Sequence, residues 1–178
     1  MEDFTEKRLE SEEIFKGRVV HLFRDKVQLP NGQQSTREVV RHPGAVAVIA
    51  VNSEEKLLLV RQYRYPLDKT IYEIPAGKLE LGENPDDAAA RELEEETGYR
   101  CTQMKRVASF YSSPGFSDEL IHMYFADALT AGTQHLDPDE FLENAAVSLT
   151  EAVEMIGDGR IADAKSILGV QFLQVHSH

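Results

Sequence analysis

Hydrophobic and polar positions alternate over the first part of the chain, and this pattern predicts β-strands. Residues 13–29 and 33–41 form two half-buried stretches joined by a Pro-Asn-Gly turn. We therefore expect residues 1–43 to form an N-terminal antiparallel hairpin arm. Residues 45–51 and 56–63 are more continuously apolar, which indicates a buried strand pair.

The period changes to that of a helix further along the chain. The clearest case is Pro85–Thr97, which Asn84 can cap and which Gly98 can end in a left-handed turn. Ser148 has the spacing of a capping box and begins a helix that ends near Gly157. The remaining elements are predicted from the same patterns: strands over 71–74, 106–111 and 120–128, a polar connection over 130–144, and an apolar-faced terminal helix over 162–176.

Mixed strands with helices between and after them favour a sheet packed between helical layers, in the α/β (α+β) class. The chain has 178 residues and 42% hydrophobic content, which suits one domain of ordinary size, expected over residues 44–178. No repeat or low-complexity segment divides it.

The charge balance limits the kinds of molecule that the protein is expected to bind. With 19 basic and 31 acidic residues the net charge is −12, which argues against a nucleic-acid surface. The single Cys101 excludes an intramolecular disulfide and suits a reducing cytoplasm. The first residues lack a signal-peptide pattern, and the longest apolar run is too short to span a membrane, so a cytoplasmic protein is expected.

Carboxylates crowd the last turns of the predicted helix. Glu92, Glu95 and Glu96 share an arc of roughly 100° beside the expected apolar side, which contains Ala89, Ala90, Leu93 and Thr97. Each anion near a helix C-terminus opposes the helix dipole by roughly 0.3–1 kcal/mol. A hard divalent cation, which prefers carboxylate oxygens, would offset this repulsion.

The spacing of these glutamates resembles that of a known sequence motif. Residues 77–99 resemble the Nudix box, G-x5-E-x7-R-E-U-x-E-E-x-G-U, in which U is a bulky aliphatic residue. The matching residues are Gly77, Glu83, Arg91, Glu92, Leu93, Glu95, Glu96 and Gly98. Tyr99 stands where the pattern has an aliphatic residue, at a position that should pack rather than react.

The resemblance implies a Nudix α/β/α sandwich with a mixed sheet and a magnesium site, at which manganese is a candidate substitute. Glu92 and Glu96 correspond to the direct metal ligands, and the main-chain carbonyl of Ala76 can add another. Three residues are expected to brace the loop against the helix: Glu83, Arg91 and Glu95.

The substrate class is indicated outside the box. Pro114 lies sixteen residues after Gly98 in the loop Ser113-Pro114-Gly115-Phe116-Ser117-Asp118-Glu119, which resembles the ADP-ribose diphosphatase branch of the family. That branch uses its N-terminal arm for dimer exchange, so a homodimer with exchanged arms is expected. The substrate contacts implied are Arg64 at phosphate or ribose, Arg37 of the arm at the adenine end, Glu119 at ribose hydroxyls, and Arg18 as a further candidate.

The general base stays open. Glu140 fits the position of an additional metal ligand, but the position two residues earlier, a glutamate in some relatives, is Pro138. Because proline cannot accept a proton, the candidates are Asp139, Glu140, Asp137 and the box residue Glu95. A functional base must lie within hydrogen-bond reach of the attacking water.

The function that the resemblance implies is magnesium-dependent hydrolysis of ADP-ribose to AMP and ribose 5-phosphate. The first alternative is a Nudix hydrolase for another nucleotide sugar, such as GDP-mannose. The second is a non-catalytic module that binds ADP-ribose.

Overall fold

The computed structural model describes residues 3–138 and 140–176, which fold into two compact units. The first unit is Met1–Gly44 with Phe110–Leu120, and the second is Ala45–Ser109 with Ile121–His178. The strands are β1 (Lys7–Lys16), β2 (His21–Gln28), β3 (Gln34–Arg41), β4 (Ala45–Ala50), β5 (Leu57–Arg64), β6 (Lys69–Glu73), β7 (Ala76–Lys78), β8 (Tyr99–Arg100), β9 (Lys105–Tyr111), β10 (Leu120–Ala126), β11 (Thr130–Ala131) and β12 (Leu142–Val147). The α-helices are α1 (Pro85–Thr97), α2 (Leu149–Gly157) and α3 (Ala164–His176).

The first unit contains an antiparallel sheet in the order β1-β2-β3. The predicted hairpin is β2–β3, and its turn needs Gly32, whose φ of 83° favours glycine. The prediction of one strand over residues 13–29 is wrong, because the chain reverses after β1 and Gly17 N–H bonds to the carbonyl of Val20 at 2.9 Å. The arm therefore has one strand more than expected.

The second unit contains a four-stranded sheet in the order β7-β4-β10-β9 and a three-stranded sheet in the order β12-β5-β6. Residues 45–51 and 56–63 were expected to pair, and this is wrong. β4 pairs in parallel with β10, while β5 pairs with β6 and β12, so that only a bridge from Val51 to Leu57 joins the two stretches. β12 begins within the segment 130–144, which was predicted as a connection, and continues beyond it to Val147.

Helices cover both faces of β4. Val46 and Val48 belong to the buried cluster that contains Leu93 of α1. On the opposite face Gly169 of α3 lies so close to Ile49 that a Cβ there would be 3.2 Å from an Ile49 carbon. Alternate strand residues thus contact different helical layers, and the predicted α/β sandwich is confirmed.

The helix ends follow the predicted signals. Asn84 Oδ1 accepts a hydrogen bond from Asp86 N–H at 2.9 Å, and Gly98 ends α1 with φ 73°. Ser148 caps α2 by accepting from Glu151 N–H at 3.2 Å. Within the described residues, no helix combines the length and apolar character needed to cross a membrane.

Candidate active site

Helix α1 presents its acidic side along the edge of its buried side. Leu93 is fully buried, as expected, but Ala88 rather than Ala90 joins Ala89 on the buried side. Glu96 is also buried, whereas Glu92 and Glu95 are half-buried. Tyr99, the residue that departs from the box, packs against the same core cluster. The acidic residues are therefore held at the border of the core by apolar packing.

Glu96 is the most deeply placed of these carboxylates. Its side chain is only 4% exposed, and Oε2 accepts a hydrogen bond from Ala76 N–H at 2.9 Å. Burial raises the pKa of Glu96 to about 8, against the effect of that hydrogen bond, and the negative charges of Glu92 and Glu140 add to the rise. The folded protein therefore favours a protonated Glu96 at neutral pH unless a cation is near.

Glu92 lies one helical turn before Glu96 and packs against the box glycine. A Cβ built on Gly77 would lie 2.0 Å from the Glu92 carboxylate, so a side chain at this position would force that carboxylate to move. Burial raises the pKa of Glu92, although the charge of Arg91 opposes the shift. The close approach brings the β7 backbone next to the acidic side of α1.

Arg91 connects three of the predicted site carboxylates. Its Nε lies 2.9 Å from Glu83 Oε1, and its Nη1 lies 2.8 Å from both Glu92 Oε1 and Glu95 Oε2. Hydrogen bonds to Glu83 make the largest contribution to raising the pKa of Arg91. The guanidinium thus ties the loop before α1 to the last turns of the helix, where a brace was expected.

The donor set suits a divalent cation in its chemistry. Two neighbouring carboxylates are desolvated and carry raised pKa values, and each is further destabilised as an anion by the charge of Glu140. Oxygen ligands of this kind bind hard cations, which would reverse the electrostatic penalty. Over residues 3–138 and 140–176, no three side chains of His, Cys, Asp or Glu form a ready-made metal cluster. The residues fit a site that combines two carboxylates with backbone oxygen, such as the carbonyl of Ala76.

The loop that carries the candidate bases precedes β12. Glu140 is exposed, and its N–H donates to the carbonyl of Asp137 at 2.9 Å. Its effect on the pKa of Glu92 and Glu96 indicates that its charge lies within electrostatic range of both. Asp139 lies outside the described residues.

Arg64, the predicted phosphate contact of the second unit, forms a bidentate ion pair with Glu73. Nε and Nη2 donate to the two carboxylate oxygens at 2.5 and 2.7 Å. Lys165 also donates to Glu73, so this carboxylate, 1% exposed, lies between two cations. The sequence reasoning missed Glu73 and Lys165. Glu73 gave one signal, since it is the charged residue within the otherwise apolar stretch 71–74.

The other predicted substrate contacts belong to the first unit. Arg37 on β3 pairs with Glu6 at 2.5 Å, and Arg18 lies in the exposed bend between β1 and β2. Glu119 accepts a hydrogen bond from Ser112 Oγ and lies 3.6 Å from Nε2 of His42. These residues stay predicted contacts.

Two family models match the chain. The NUDIX domain matches residues 41–168, and the nucleoside diphosphate sugar hydrolase N-terminal domain matches residues 6–40. Nudix hydrolases generally use a divalent metal, in agreement with the donor set on α1.

Similar proteins cover nearly the whole chain. A Bacillus methanolicus protein named "Methanol dehydrogenase activator" is 55% identical over 174 residues, covering 97% of this chain and 94% of that protein. An "ADP-ribose pyrophosphatase" of Bacillus subtilis is 47% identical over 177 residues, covering 98% and 96%. A solved ADP compounds hydrolase shares the fold with a TM-score of 0.82 at 20% identity, covering 96% and 95%. The chain belongs to the Nudix hydrolase family.

Proposed function

We propose that this protein hydrolyses the diphosphate of ADP-ribose to AMP and ribose 5-phosphate. The observation that carries the proposal is the pair formed by the buried Glu96 and the half-buried Glu92 beside the Ala76–Gly77 backbone. Two observations support ADP-ribose as the substrate. A relative that is 47% identical is named ADP-ribose pyrophosphatase, and the Pro114 loop resembles that of the ADP-ribose diphosphatase branch. The cytoplasmic location inferred from the single Cys101 stays part of this proposal.

Magnesium is the proposed metal, with manganese as a substitute. Glu92, Glu96 and Glu140 with the carbonyl of Ala76 would hold it. A bound magnesium ion would neutralise charge on the diphosphate and lower the pKa of the attacking water. Arg91 would keep the ligand pair in place through its bonds to Glu83 and Glu95.

In the reaction, a water oxygen bonds to one phosphorus and the bridging P–O bond of the diphosphate breaks. One water proton goes to a carboxylate that acts as general base. The candidates for this base are Asp137, Asp139, Glu140 and Glu95. Glu95 is already tied to Arg91 at 2.8 Å, and Glu140 can act as the base only if it is not a metal ligand. Arg64 would bind the diphosphate, since a guanidinium matches phosphate oxygens in geometry and charge.

The arm completes the proposal. We propose a homodimer with exchanged arms, in which Arg37 of the partner subunit reaches the adenine end. Arg18 and Glu119 remain proposed contacts, with Glu119 at ribose hydroxyls. The match of residues 6–40 to an N-terminal domain of nucleoside diphosphate sugar hydrolases supports a substrate role for the arm.

The test is product analysis after hydrolysis of ADP-ribose with magnesium in water labelled with heavy oxygen. We expect AMP and ribose 5-phosphate, with the label on one of them, which identifies the phosphorus attacked. GDP-mannose should give a much lower kcat/KM in the same assay. The reverse preference would favour the other nucleotide-sugar hydrolase, and tight ADP-ribose binding without products would favour a binding module.

A pair of variants on α1 tests the metal ligands. Glu96→Gln should lower kcat roughly 100- to 1,000-fold, because it removes a negatively charged ligand of the magnesium ion that would stabilise charge at the reacting phosphate. Glu94→Gln is the matched control, since Glu94 pairs with Arg100 at 2.7 Å, and it should stay within about twofold of wild type. Wild-type turnover of Glu96→Gln at saturating magnesium would refute the assignment.

The relative at 55% identity favours a second candidate function. Its printed name describes activation of a methanol dehydrogenase. Methanol oxidation by such a dehydrogenase should be measured with the wild-type protein and with Glu96→Gln. Activation that Glu96→Gln abolishes would show that the hydrolase site is required, whereas no activation would reject this candidate.

A further inference from the structure

Four charged side chains form a cluster where the end of β6 meets the start of α3. We call it the Glu73 cluster, and its members are Arg64, Glu73, Asp163 and Lys165. Arg64 donates two hydrogen bonds to Glu73, while Lys165 donates to Glu73 and, at 2.8 Å, to Asp163. Two cations face two anions, so the cluster is neutral.

Glu73 is the least exposed member, because its side chain is 2% exposed, whereas the side chain of Arg64 is 41% exposed. Burial by itself would raise the pKa of Glu73, but hydrogen bonds from Arg64 and the charge of Lys165 outweigh it and lower the pKa. The carboxylate is therefore an anion fixed between its partners. Its position is set by the protein interior, and the exposed guanidinium takes its orientation from it.

The bidentate pair leaves part of the guanidinium available. Glu73 occupies two of the five N–H donors of an arginine, at Nε and Nη2. Within residues 3–138 and 140–176, Nη1 has no hydrogen-bond partner. An arginine held along one edge in this way can offer its other edge to an anion without losing its ion pair.

A short segment connects the cluster with the acidic side of α1. Ile74 N–H donates to Ser166 Oγ at 2.9 Å, which ties the segment to α3, and Pro75 accepts from Val48 N–H at 2.8 Å. Ala76 N–H then binds Glu96 at 2.9 Å. Hydrogen bonds to Glu73 raise the pKa of Arg64, and the charge of Glu96 adds to this rise, so the guanidinium lies within electrostatic range of the acidic site.

We propose that Glu73 is a positioning residue that fixes the guanidinium of Arg64 for the substrate diphosphate, while Lys165 and Asp163 hold Glu73 in place. This inference rests on the proposed function, in which Arg64 contacts phosphate. Glu73 itself touches no reacting atom. Its effect on turnover should therefore disappear when Arg64 is removed.

A double-mutant cycle on the full chain tests this dependence. Glu73→Gln should lower kcat/KM for ADP-ribose roughly 10- to 100-fold, because a small misplacement of a binding group has effects of that size. Arg64→Ala should lower it at least as much, and the double variant should be no worse than Arg64→Ala. The proposal would be overturned if the loss in the double variant equalled the product of the two single losses. It would also be overturned if Glu73→Gln kept the wild-type kcat/KM.

Two further variants separate positioning from folding. Arg64→Lys keeps the positive charge but cannot form the bidentate pair, so it should lose activity to a similar degree as Glu73→Gln. Glu143→Gln is the matched control, because it breaks an exposed pair with Arg61 on the same strand β5, and it should stay within about twofold of wild type. If Glu73→Gln fails to fold, full activity of Arg64→Lys would still reject the proposal.

The proposed function can fail separately. If the wild-type protein hydrolyses another nucleoside diphosphate sugar instead of ADP-ribose, the cycle is measured with that substrate, since the diphosphate is common to both. If it hydrolyses neither, the same cycle is applied to the Kd for ADP-ribose by calorimetry. Neither turnover nor binding in the wild type would overturn both the function and the positioning role.

Discussion

The positions of single side chains in the acidic site depend on how closely the backbone approaches them. Gly77 carries no Cβ, and any Cβ there would overlap the Glu92 carboxylate at 2.0 Å. Glu96 in turn is fixed by one backbone N–H from Ala76. The acidic site therefore depends on main-chain geometry as much as on its carboxylates.

Replacing this glycine should affect activity more than folding. Gly77→Ala should lower kcat/KM roughly 10- to 100-fold, because Glu92 must move away from the new methyl group. The matched control is Gly157→Ala, where a Cβ would meet nothing within 4 Å and φ is not positive. Measurement of kcat/KM at saturating magnesium checks the pair, and equal kcat/KM values for both variants would contradict the steric argument.

The raised pKa of Glu96 predicts a pH dependence of stability for the metal-free protein. The unfolded carboxyl titrates near 4.5 and the folded one near 8, so the folded state binds more protons between these values. Stability should therefore fall as pH rises from about 5 to about 8, by up to a few kcal/mol.

The measurement is Tm against pH in the presence of a metal chelator. Glu96→Gln should flatten the slope in that window, because the amide does not titrate. Added magnesium should raise the Tm of the wild type most at the alkaline end, where Glu96 would otherwise be an uncompensated buried anion. An unchanged slope in Glu96→Gln would contradict the assignment of the effect to this residue.

Elements are held together by polar contacts that a sequence pattern does not reveal. The N-terminus of α1 is fixed to β10 and β9 through Asp86, which accepts hydrogen bonds from Tyr124 Oη at 2.6 Å and Arg106 Nη2 at 2.7 Å. Burial raises the pKa of Tyr124, and the hydrogen bond to Asp86 raises it further, to about 12. The tyrosine therefore stays a neutral donor throughout the usual pH range.

Removing the Tyr124 hydroxyl should loosen this attachment. Tyr124→Phe keeps the packing but takes away the donor to Asp86 and the acceptor for Arg106, which should cost about 1–3 kcal/mol of unfolding free energy. Urea denaturation measures the loss. Turnover should change little, because none of these atoms belongs to the proposed site, and a large fall in kcat at unchanged stability would contradict this.

Local signals predicted helices better than strand pairing. The proline, asparagine and glycine around α1 act within a few residues, so the sequence could place both ends of that helix. The pairing of β4 with β10 joins residues far apart in the chain, and an apolar run does not indicate its neighbour. β12 was missed because its strand alternates weakly between exposed and half-buried positions.

The same contrast holds for the candidate site. The acidic side of α1 could be recognised because its spacing is local and matches a family pattern. The packing of α3 brings together Glu73, Asp163 and Lys165. Because α3 begins about ninety positions after β6, no local sequence pattern indicates this cluster.

At the scale of the whole molecule, the arm presents apolar side chains to solvent. Ile14 is 46% exposed and Phe15 is 57% exposed, and several nearby apolar side chains are also exposed. Apolar side chains gathered on one strand and the following bend often mark an interface. The homodimer predicted from the family resemblance would provide a cover for them.

Ile14→Lys should shift the protein from dimer to monomer in sedimentation measurements at micromolar concentration. A charge introduced into an apolar interface loses solvation without gaining a partner. Glu13→Lys is the matched control, since Glu13 is an exposed neighbour that is already polar. A monomeric wild-type protein would reject the dimer, and dimeric Ile14→Lys would place the interface elsewhere.

Residues 73–76 have a consequence for changing the specificity of this enzyme. Four successive residues are bonded to Arg64, Ser166, Val48 and Glu96 in turn. A substitution there would disturb together the bonds to Arg64, the proposed phosphate contact, to Ser166 of α3, and to Glu96, a proposed metal ligand. Directed evolution toward new nucleotide sugars should leave this segment unchanged and vary the Pro114 loop and the arm, to which the proposed contacts with the ribose and the adenine belong.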